Sequence, residues 1–95
     1  MNRAELIERL VNKIHQHEVK MVDKAVKSTL KLIMETLKVS ERVEIRDFGV
    51  FTTKKMEAKL ARNPRNGVIV SVPAKRKVHF KPGKILRARV NHEGN

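Results

Sequence analysis

The first 38 residues carry apolar side chains at helical spacing. Two amphipathic helices are predicted, the second running from about Val19 to Leu37. Asn2, with Glu5 three residues later, is typical of a capped helix start. The second apolar stripe is long for one small chain, so it packs on the chain's own sheet or also faces another copy. The apolar positions are Leu6, Ile7, Leu10, Val11 and Ile14 in the first helix and Val22, Val26, Leu30, Ile33 and Leu37 in the second.

From Glu41 the apolar period changes to two, the period of a strand. The segment "RVEIR" alternates, "DFG" predicts a tight turn in which Gly49 is free to take a positive φ, and "VFTTKKMEAKLA" continues extended. The segment "NPRNG" is dense in turn formers, and its Asn66-Gly67 pair is a strong hairpin signal. The valine-rich "VIVSV" then returns as the partner strand. Residues 54–76 are therefore predicted to form one long hairpin, which we call the arm.

A short strand, "VHF", and a third helix complete the predicted elements. Pro82 suits the first turn of that helix, because its fixed φ and missing N–H are tolerated there. The prediction is a single α+β domain with two N-terminal helices, an antiparallel β-meander with a protruding hairpin arm, and a short C-terminal helix. The segments are 1–38 for the helical base, 41–81 for the sheet with the arm at about 54–76, and 82–91 for the last helix, within one domain of residues 1–95.

Charge divides the chain into two unlike halves. Residues 1–51 hold ten Lys and Arg against eight Asp and Glu, whereas residues 52–95 hold twelve against two. The second half is thus a polycation of net charge +10. Such asymmetry indicates a polyanionic partner, most often nucleic acid. The alternative is a solvated basic surface that keeps the protein soluble.

Composition and motifs argue against several other classes. The chain has no cysteine, so the sequence predicts no disulfide framework and no thiolate metal site, which suits a reducing compartment. Neither a signal peptide nor a membrane-spanning run is found, so we expect a cytoplasmic protein without a membrane partner. No catalytic triad, metal motif, phosphate loop or carboxylate pair stands out. We therefore expect no enzyme, no metal, no cofactor and no small-molecule substrate.

The arm combines dense positive charge with little apolar surface. Two strands alone do not form a core in water, so we expect the arm to project and to stay mobile until a partner orders it. A cationic β-ribbon fits a DNA groove by size and charge. At its tip Pro64 presents a rigid apolar ring that can enter between two bases, although a proline there can also simply set a turn. The basic residues on or near the arm are Lys54, Lys55, Lys59, Arg62 and Arg65, with Lys75, Arg76 and Lys77 at its return base.

Three motifs resemble the HU/integration host factor family of bacterial nucleoid DNA-bending proteins, in the family's order and spacing. The tip "RNPRNG" resembles the family's R-N-P-x-T-G, "VEIRDFGVF" its x-G-F-G-x-F element, and "HFKPGKILR" the start of its last helix. The resemblance covers essentially the whole chain. The sequence departs from the pattern at Asn66, where the family has threonine, and at Asp47, where it has the first glycine.

The resemblance implies an intertwined dimer whose two arms wrap double-stranded DNA. In this family's mechanism, Pro64 of each arm would wedge between base pairs in the minor groove and kink the duplex. Asp47 would place a carboxylate near the path of the DNA over the body. The residues implied beside the wedge are Arg62, Asn63, Arg65, Asn66 and Gly67; those implied as phosphate clamps are Lys75, Arg76, Lys77, Lys81, Lys84 and Arg87; and Arg46 is implied as a contact from the body.

The expected function is therefore nucleoid-associated DNA bending and compaction, by a homodimer or by a heterodimer with a paralogue. The segments "VEIR" and "HFKPGK" favour the site-specific integration host factor branch, whereas a single chain gives no sign of a second subunit. Two rival interpretations stay open. One is a basic RNA- or ribosome-associated protein, which would not need the proline tip. The other is a structural protein whose arm binds an acidic partner protein.

Overall fold

The computed structural model describes residues 1–15 and 18–93. Within them the chain forms three helices and five strands, an α+β fold with the helices and strands in the predicted order. The backbone divides into two compact units, Met1–Glu35 and Thr36–Asn95. The elements are α1 (Arg3–Ile14), α2 (Val19–Lys38), β1 (Val43–Ile45), β2 (Gly49–Met56), β3 (Lys59–Arg62), β4 (Ile69–Val72), β5 (Lys75–Pro82) and α3 (Lys84–Glu93).

The first unit consists of α1 and most of α2. Asn2 Oδ1 accepts a hydrogen bond from the Glu5 backbone N–H at 2.9 Å, which confirms the predicted start of α1. Ile7 and Val22 are buried, as their apolar spacing predicts. An open apolar groove of about 260 Å³ remains in this unit, so its apolar face is only partly covered. The groove is lined by Leu10, Ile14, Met21, Val22, Ala25 and Val26.

The carboxyl end of α2 closes on a left-handed residue that is not glycine. Ser40 has φ 64°, and its N–H donates to the Leu37 carbonyl at 3.0 Å. The Glu41 N–H donates to the Thr36 carbonyl at 3.1 Å. This pair of bonds is a Schellman motif, in which glycine is the usual left-handed residue because a Cβ is disfavoured there. Serine at this position therefore lowers backbone stability relative to glycine.

The second unit holds an antiparallel sheet in the order β1-β2-β5 and a separate two-stranded sheet, β3-β4. Met56 pairs with Lys75, and beyond a short gap Lys59 pairs with Val72 in the same register. Pro73 lies in that gap and has no N–H to donate to a ladder. The arm is thus one hairpin with an interrupted ladder. We call β3-β4 and the turn between them the distal ribbon.

Three phenylalanines form the apolar cluster of this sheet. The ring centroids of Phe51 and Phe80 lie 4.7 Å apart, and those of Phe48 and Phe80 lie 5.4 Å apart. Gly49 is buried beside them. A Cβ at Gly49 would lie 2.6 Å from both the Lys81 carbonyl oxygen and the Phe80 ring. Close packing of the sheet on this ring therefore requires glycine at position 49.

The turn between β1 and β2 takes its left-handed residue at Asp47 and not at Gly49, the glycine whose conformational freedom suggested it. Asp47 has φ 66°, and the following Phe48 N–H donates to the Ile45 carbonyl at 3.0 Å. Aspartate is one of the few residues that tolerate this region, because its short polar side chain can hydrogen-bond locally. The substitution of the family's glycine at this position therefore preserves the turn.

The C-terminal helix begins later than predicted. The last strand, β5, is eight residues long and ends at Pro82, which we expected in the first turn of the helix. The Gly83 N–H donates to the Phe48 carbonyl at 2.9 Å, and the Arg87 N–H donates to the Gly83 carbonyl at 3.0 Å. The chain therefore turns from strand to helix at Gly83, and α3 begins at Lys84. Proline's fixed φ suits the end of a strand as well as the start of a helix, so its presence alone did not distinguish the two.

Candidate nucleic-acid interface

Successive side chains of β2 and β5 point to opposite faces of the sheet, which separates cations that are adjacent in sequence. On one face Lys54 lies directly opposite Lys77. On the other face Phe51 lies opposite Phe80, and Arg76 shares that face by register. We call the first side the basic face. It carries Lys54, Lys75, Lys77, His79 and Lys81.

The basic face carries no acidic side chain of β2 or β5. Like charges directly opposite each other on neighbouring strands destabilise a sheet. Lys54 and Lys77 are both exposed, and among residues 18–93 neither forms an ion pair. Lysines held in opposition without a neutralising carboxylate are expected on a surface whose counter-charge comes from a polyanion.

An open groove of about 480 Å³ extends from this face to α3. The structure brings three predicted phosphate clamps, Lys81, Lys84 and Arg87, together around the groove. Among the described residues that line it, none is acidic. The groove therefore offers a concave cationic surface, in which a phosphate can approach several positive side chains at once.

Arg42 and His79 also line this groove, although neither was selected from the sequence as a site residue. His79 lies in phase with Lys77 and Lys81 along β5, so the period-two alternation of the strand could have identified it. Arg42 precedes β1 and carries no such signal. Its guanidinium also donates to Glu44 Oε2 at 3.3 Å, an exposed pair that contributes little to stability.

Arg76 differs from its two lysine neighbours. Its Nη2 donates to the Lys38 backbone carbonyl at 2.7 Å, and its Nη1 donates to the Ser40 hydroxyl. Lys75 and Lys77 lie on the basic face, whereas Arg76 lies on the other face of the same strand. The predicted clamp of three consecutive cations is therefore not brought together as one group.

Backbone and side-chain hydrogen bonds organise the tip of the arm. The Asn63 N–H donates to the Val68 carbonyl at 2.8 Å, and the Gly67 N–H donates to the Asn63 carbonyl at 2.8 Å. Asn63 Oδ1 accepts from the Arg65 N–H, and Asn66 Oδ1 accepts from the Val68 N–H, each at 2.9 Å. These Asx turns satisfy backbone donors that no strand partner reaches. Asn66 therefore has a structural use in the position where the family has threonine.

Arg62 and Pro64 flank Asn63 at the start of this turn. Arg62 Nη1 donates to the Gly67 carbonyl at 3.0 Å, which holds the guanidinium across the turn. Gly67 has φ 71°, the left-handed conformation that favours glycine. Pro64 and Arg65 are exposed. The turn thus presents a rigid apolar ring and an exposed cation to solvent.

Two other predicted contacts lie beside carboxylates. Arg46 shares a groove of about 480 Å³ with Glu44 and Asp47, so the positive potential there is reduced. Lys55 Nζ lies 3.9 Å from Glu57 Oε1. Both lysine and arginine remain exposed, but neither lies on the basic face.

Within residues 1–15 and 18–93, no three His, Asp or Glu side chains are grouped so that they could hold a metal ion. In the same part of the chain, no helix combines the length and the hydropathy needed to cross a membrane.

The chain belongs to the family described as "Bacterial DNA-binding protein", whose sequence profile matches residues 1–91. This is the family of HU and integration host factor, which consists of architectural DNA-binding proteins and not enzymes. The resemblance found in the sequence motifs is thereby confirmed. The chain that carries the basic face and the arm is therefore a member of a family of DNA-binding proteins.

Individual relatives resemble the chain in sequence, and a solved structure resembles it in fold. Integration host factor subunit beta of Colwellia psychrerythraea is 43% identical over 91 residues, which cover 96% of this chain and 96% of that protein. The subunit beta of Psychromonas ingrahamii is 45% identical with the same coverage. Among solved structures, Anabaena HU in a co-crystal with DNA matches with a TM-score of 0.84 at 29% identity, over 95% of this chain and 97% of that chain.

Proposed function

We propose that two copies of the chain bind double-stranded DNA in the bacterial cytoplasm and bend it for nucleoid compaction, with Pro64 of each arm inserted between base pairs from the minor groove. The observation that carries this proposal is the basic face, where Lys54 and Lys77 oppose each other without an acidic partner among residues 18–93. The groove beside α3 continues the same charge. Phosphates of a curved duplex supply the missing counter-charge along both surfaces.

The turn around Pro64 has the properties required of a wedge. The proline ring is exposed, and hydrogen bonds that Asn63 and Asn66 accept from backbone N–H groups fix the backbone on either side of it. An element that is already ordered loses little conformational entropy when it inserts. Unstacking one base step costs a few kcal/mol. Contacts between the basic face and phosphates along the bent DNA offset that cost.

A dimer is proposed because apolar side chains stay exposed in both units. Phe48 is 44% exposed and Ile85 48% exposed in the second unit, and Met34 is 64% exposed in the first. Among the described residues, only three hydrophobic side chains are buried. Covering apolar surface stabilises by about 25 cal/mol per Å², and a small domain buries a modest share of its surface, so its own core leaves it marginally stable. A second copy is the simplest partner that covers it.

A second candidate is a subunit of a heterodimer that reads particular DNA sites. The relatives from Colwellia psychrerythraea and Psychromonas ingrahamii are both named integration host factor subunit beta, which favours this alternative. The two candidates share the arm, the basic face and the bending mechanism. They differ in whether the chain alone forms a complete DNA-binding particle.

Bending is tested by fluorescence transfer between the ends of a duplex of about 35 base pairs, a length that spans about one bent site. The purified chain is titrated into random and nicked duplexes, and its mass in solution is measured at the same concentrations. A rise in transfer on any sequence, stronger on nicked DNA, identifies a homodimeric bending protein. A rise confined to particular sequences, or one that requires a second subunit, identifies the heterodimeric site reader.

Two further outcomes would contradict the proposal. Binding without a rise in transfer would mean that the arms grip DNA but that Pro64 does not wedge it. Preference for RNA over nicked duplex in a competition would favour the RNA-binding interpretation.

A steep fall in affinity with salt on plain duplex, about 0.9 in logarithmic slope per phosphate contacted, would argue against an acidic protein as the partner.

A further inference from the structure

The base of the arm is tied to the carboxyl end of α2 by one side chain. Arg76 Nη2 donates to the Lys38 carbonyl at 2.7 Å, and Nη1 donates to the Ser40 hydroxyl. We call this set of three groups the latch. The Lys38 carbonyl belongs to the last turn of α2, whose carbonyls have no partner within the helix. A cation at this end also interacts favourably with the helix dipole.

The backbone conformation of Ser40 is unfavourable for serine, but its hydroxyl forms a hydrogen bond that glycine could not form. Its φ of 64° lies in the left-handed region, where glycine would close the Schellman motif without a Cβ. Among the described residues it is one of three non-glycine residues with a positive φ. The hydroxyl accepts from Arg76, so the side chain that strains the turn is the one that completes the latch.

The latch lies next to the point where the strand pairing of the arm is interrupted. Lys75, the residue before Arg76, is the last residue of the sheet to pair with β2. Beyond it lies the gap that contains Pro73, followed by the distal ribbon. An open groove of about 450 Å³ lies at this gap, lined by residues of both the sheet and the distal ribbon. Because the space between them is open, the distal ribbon is not packed against the sheet there. The direction of the arm therefore depends on how the start of β5 is held.

We infer that Arg76 and Ser40 set the angle at which the arm leaves the sheet, and that Arg76 does so in place of clamping a phosphate. The inference rests on the proposed function, since the arm angle matters only if the arm wraps DNA. Ser40 is then a positioning residue that acts through Arg76. A latched arm is partly oriented before it meets DNA, which reduces the ordering that binding requires.

Adjacent residues of β5 provide a matched comparison. Arg76→Gln and Lys77→Gln each remove one positive charge from the same strand, but only Lys77 lies on the basic face. Lys77→Gln is expected to reduce the logarithmic salt slope of DNA binding by about 1. Arg76→Gln is expected to leave that slope unchanged while it lowers the fluorescence transfer at saturation. Ser40→Ala, which keeps the Cβ and removes only the hydroxyl, is expected to change transfer in the same direction by a smaller amount.

Hydrogen exchange of the free protein tests the latch without DNA. In Ser40→Ala and Arg76→Gln, backbone exchange at residues 75–77 is expected to rise several-fold. The double variant should exchange no faster than Arg76→Gln alone, because both changes remove the same contact. Ser40→Gly separates stability from positioning: it relieves the left-handed strain and should raise Tm, yet exchange at 75–77 should still rise.

The inference is overturned if Ser40→Ala and Ser40→Gly exchange like the wild type at residues 75–77. It is also overturned if Arg76→Gln reduces the salt slope as much as Lys77→Gln, because Arg76 would then be a phosphate clamp. If the wild type bends no duplex, the proposed function fails, and the exchange measurement still decides whether the latch holds the arm.

Discussion

Cationic side chains lie at both the tip and the base of the arm, but the two regions differ in the groups that surround those side chains. At the tip, Asn63 and Asn66 accept from backbone amides, and Arg62 donates to the Gly67 carbonyl. At the base, Lys54 and Lys77 of the basic face lie directly opposite each other, and neither β2 nor β5 carries an acidic residue. The tip is therefore organised by the chain itself, whereas the base leaves its charge for a partner. Under the proposed function, the element that would enter DNA is organised by the chain's own hydrogen bonds, and the surface that would hold phosphates carries no acidic residue on its two strands.

The largest expected effect comes from reversing one charge on the basic face. Lys77→Glu places a carboxylate directly opposite Lys54 and converts a repulsive cross-strand pair into an attractive one. The free energy of unfolding should rise by about 0.2–1 kcal/mol. DNA affinity should fall by roughly tenfold to a hundredfold near 0.1 M salt, because a phosphate contact is replaced by repulsion. Denaturant unfolding and DNA titration at several salt concentrations measure the two opposite changes.

Lys24→Glu is the control for net charge, because it makes the same change on an exposed residue of the other unit. Its affinity loss should be much smaller than that of Lys77→Glu. Equal losses in the two variants would show that total charge, and not the basic face, governs binding.

The next effect concerns the wedge at the tip. Pro64→Ala keeps the hydrogen bonds of Asn63 and Asn66 but removes the rigid ring. Most of the rise in fluorescence transfer should disappear, while Kd changes by less than about tenfold, because the phosphate contacts at the base remain. Bending as strong as that of the wild type would show that the proline only sets the turn.

Apolar periodicity and turn residues predicted the helices and the hairpin, because both act locally along the chain. The family was identified through the resemblance of three motifs, which the family match confirms. The start of α3 was missed, since Pro82 is compatible with both a strand end and a helix start. The exchange of roles between Asp47 and Gly49 was missed for a different reason. Only the packed sheet shows that a Cβ at Gly49 would meet the Phe80 ring.

The site was predicted as a set of cations but not as a surface. The sequence places Lys75, Arg76 and Lys77 together, whereas the strand sends the middle residue to the other face. That residue finds Ser40, which is 36 positions away along the chain. A contact at such a distance leaves no local pattern, so the sequence without its fold could not separate Arg76 from its two lysine neighbours.

The smallest expected effect sharpens the view that the tip organises itself. Asn66→Ala removes the acceptor for the Val68 N–H, an exposed bond that contributes about 1 kcal/mol or less. Exchange of the Val68 amide should rise a few-fold, and bending should fall only slightly. Asn66→Thr restores the family's residue and keeps a hydroxyl that can accept the same bond, although more weakly. It should therefore exchange almost like the wild type, since the turn and not the amide side chain is what the tip needs. If Asn66→Thr changes bending or sequence preference while Asn66→Ala does not, the side chain at this position contacts DNA, and the tip is not organised independently of its partner.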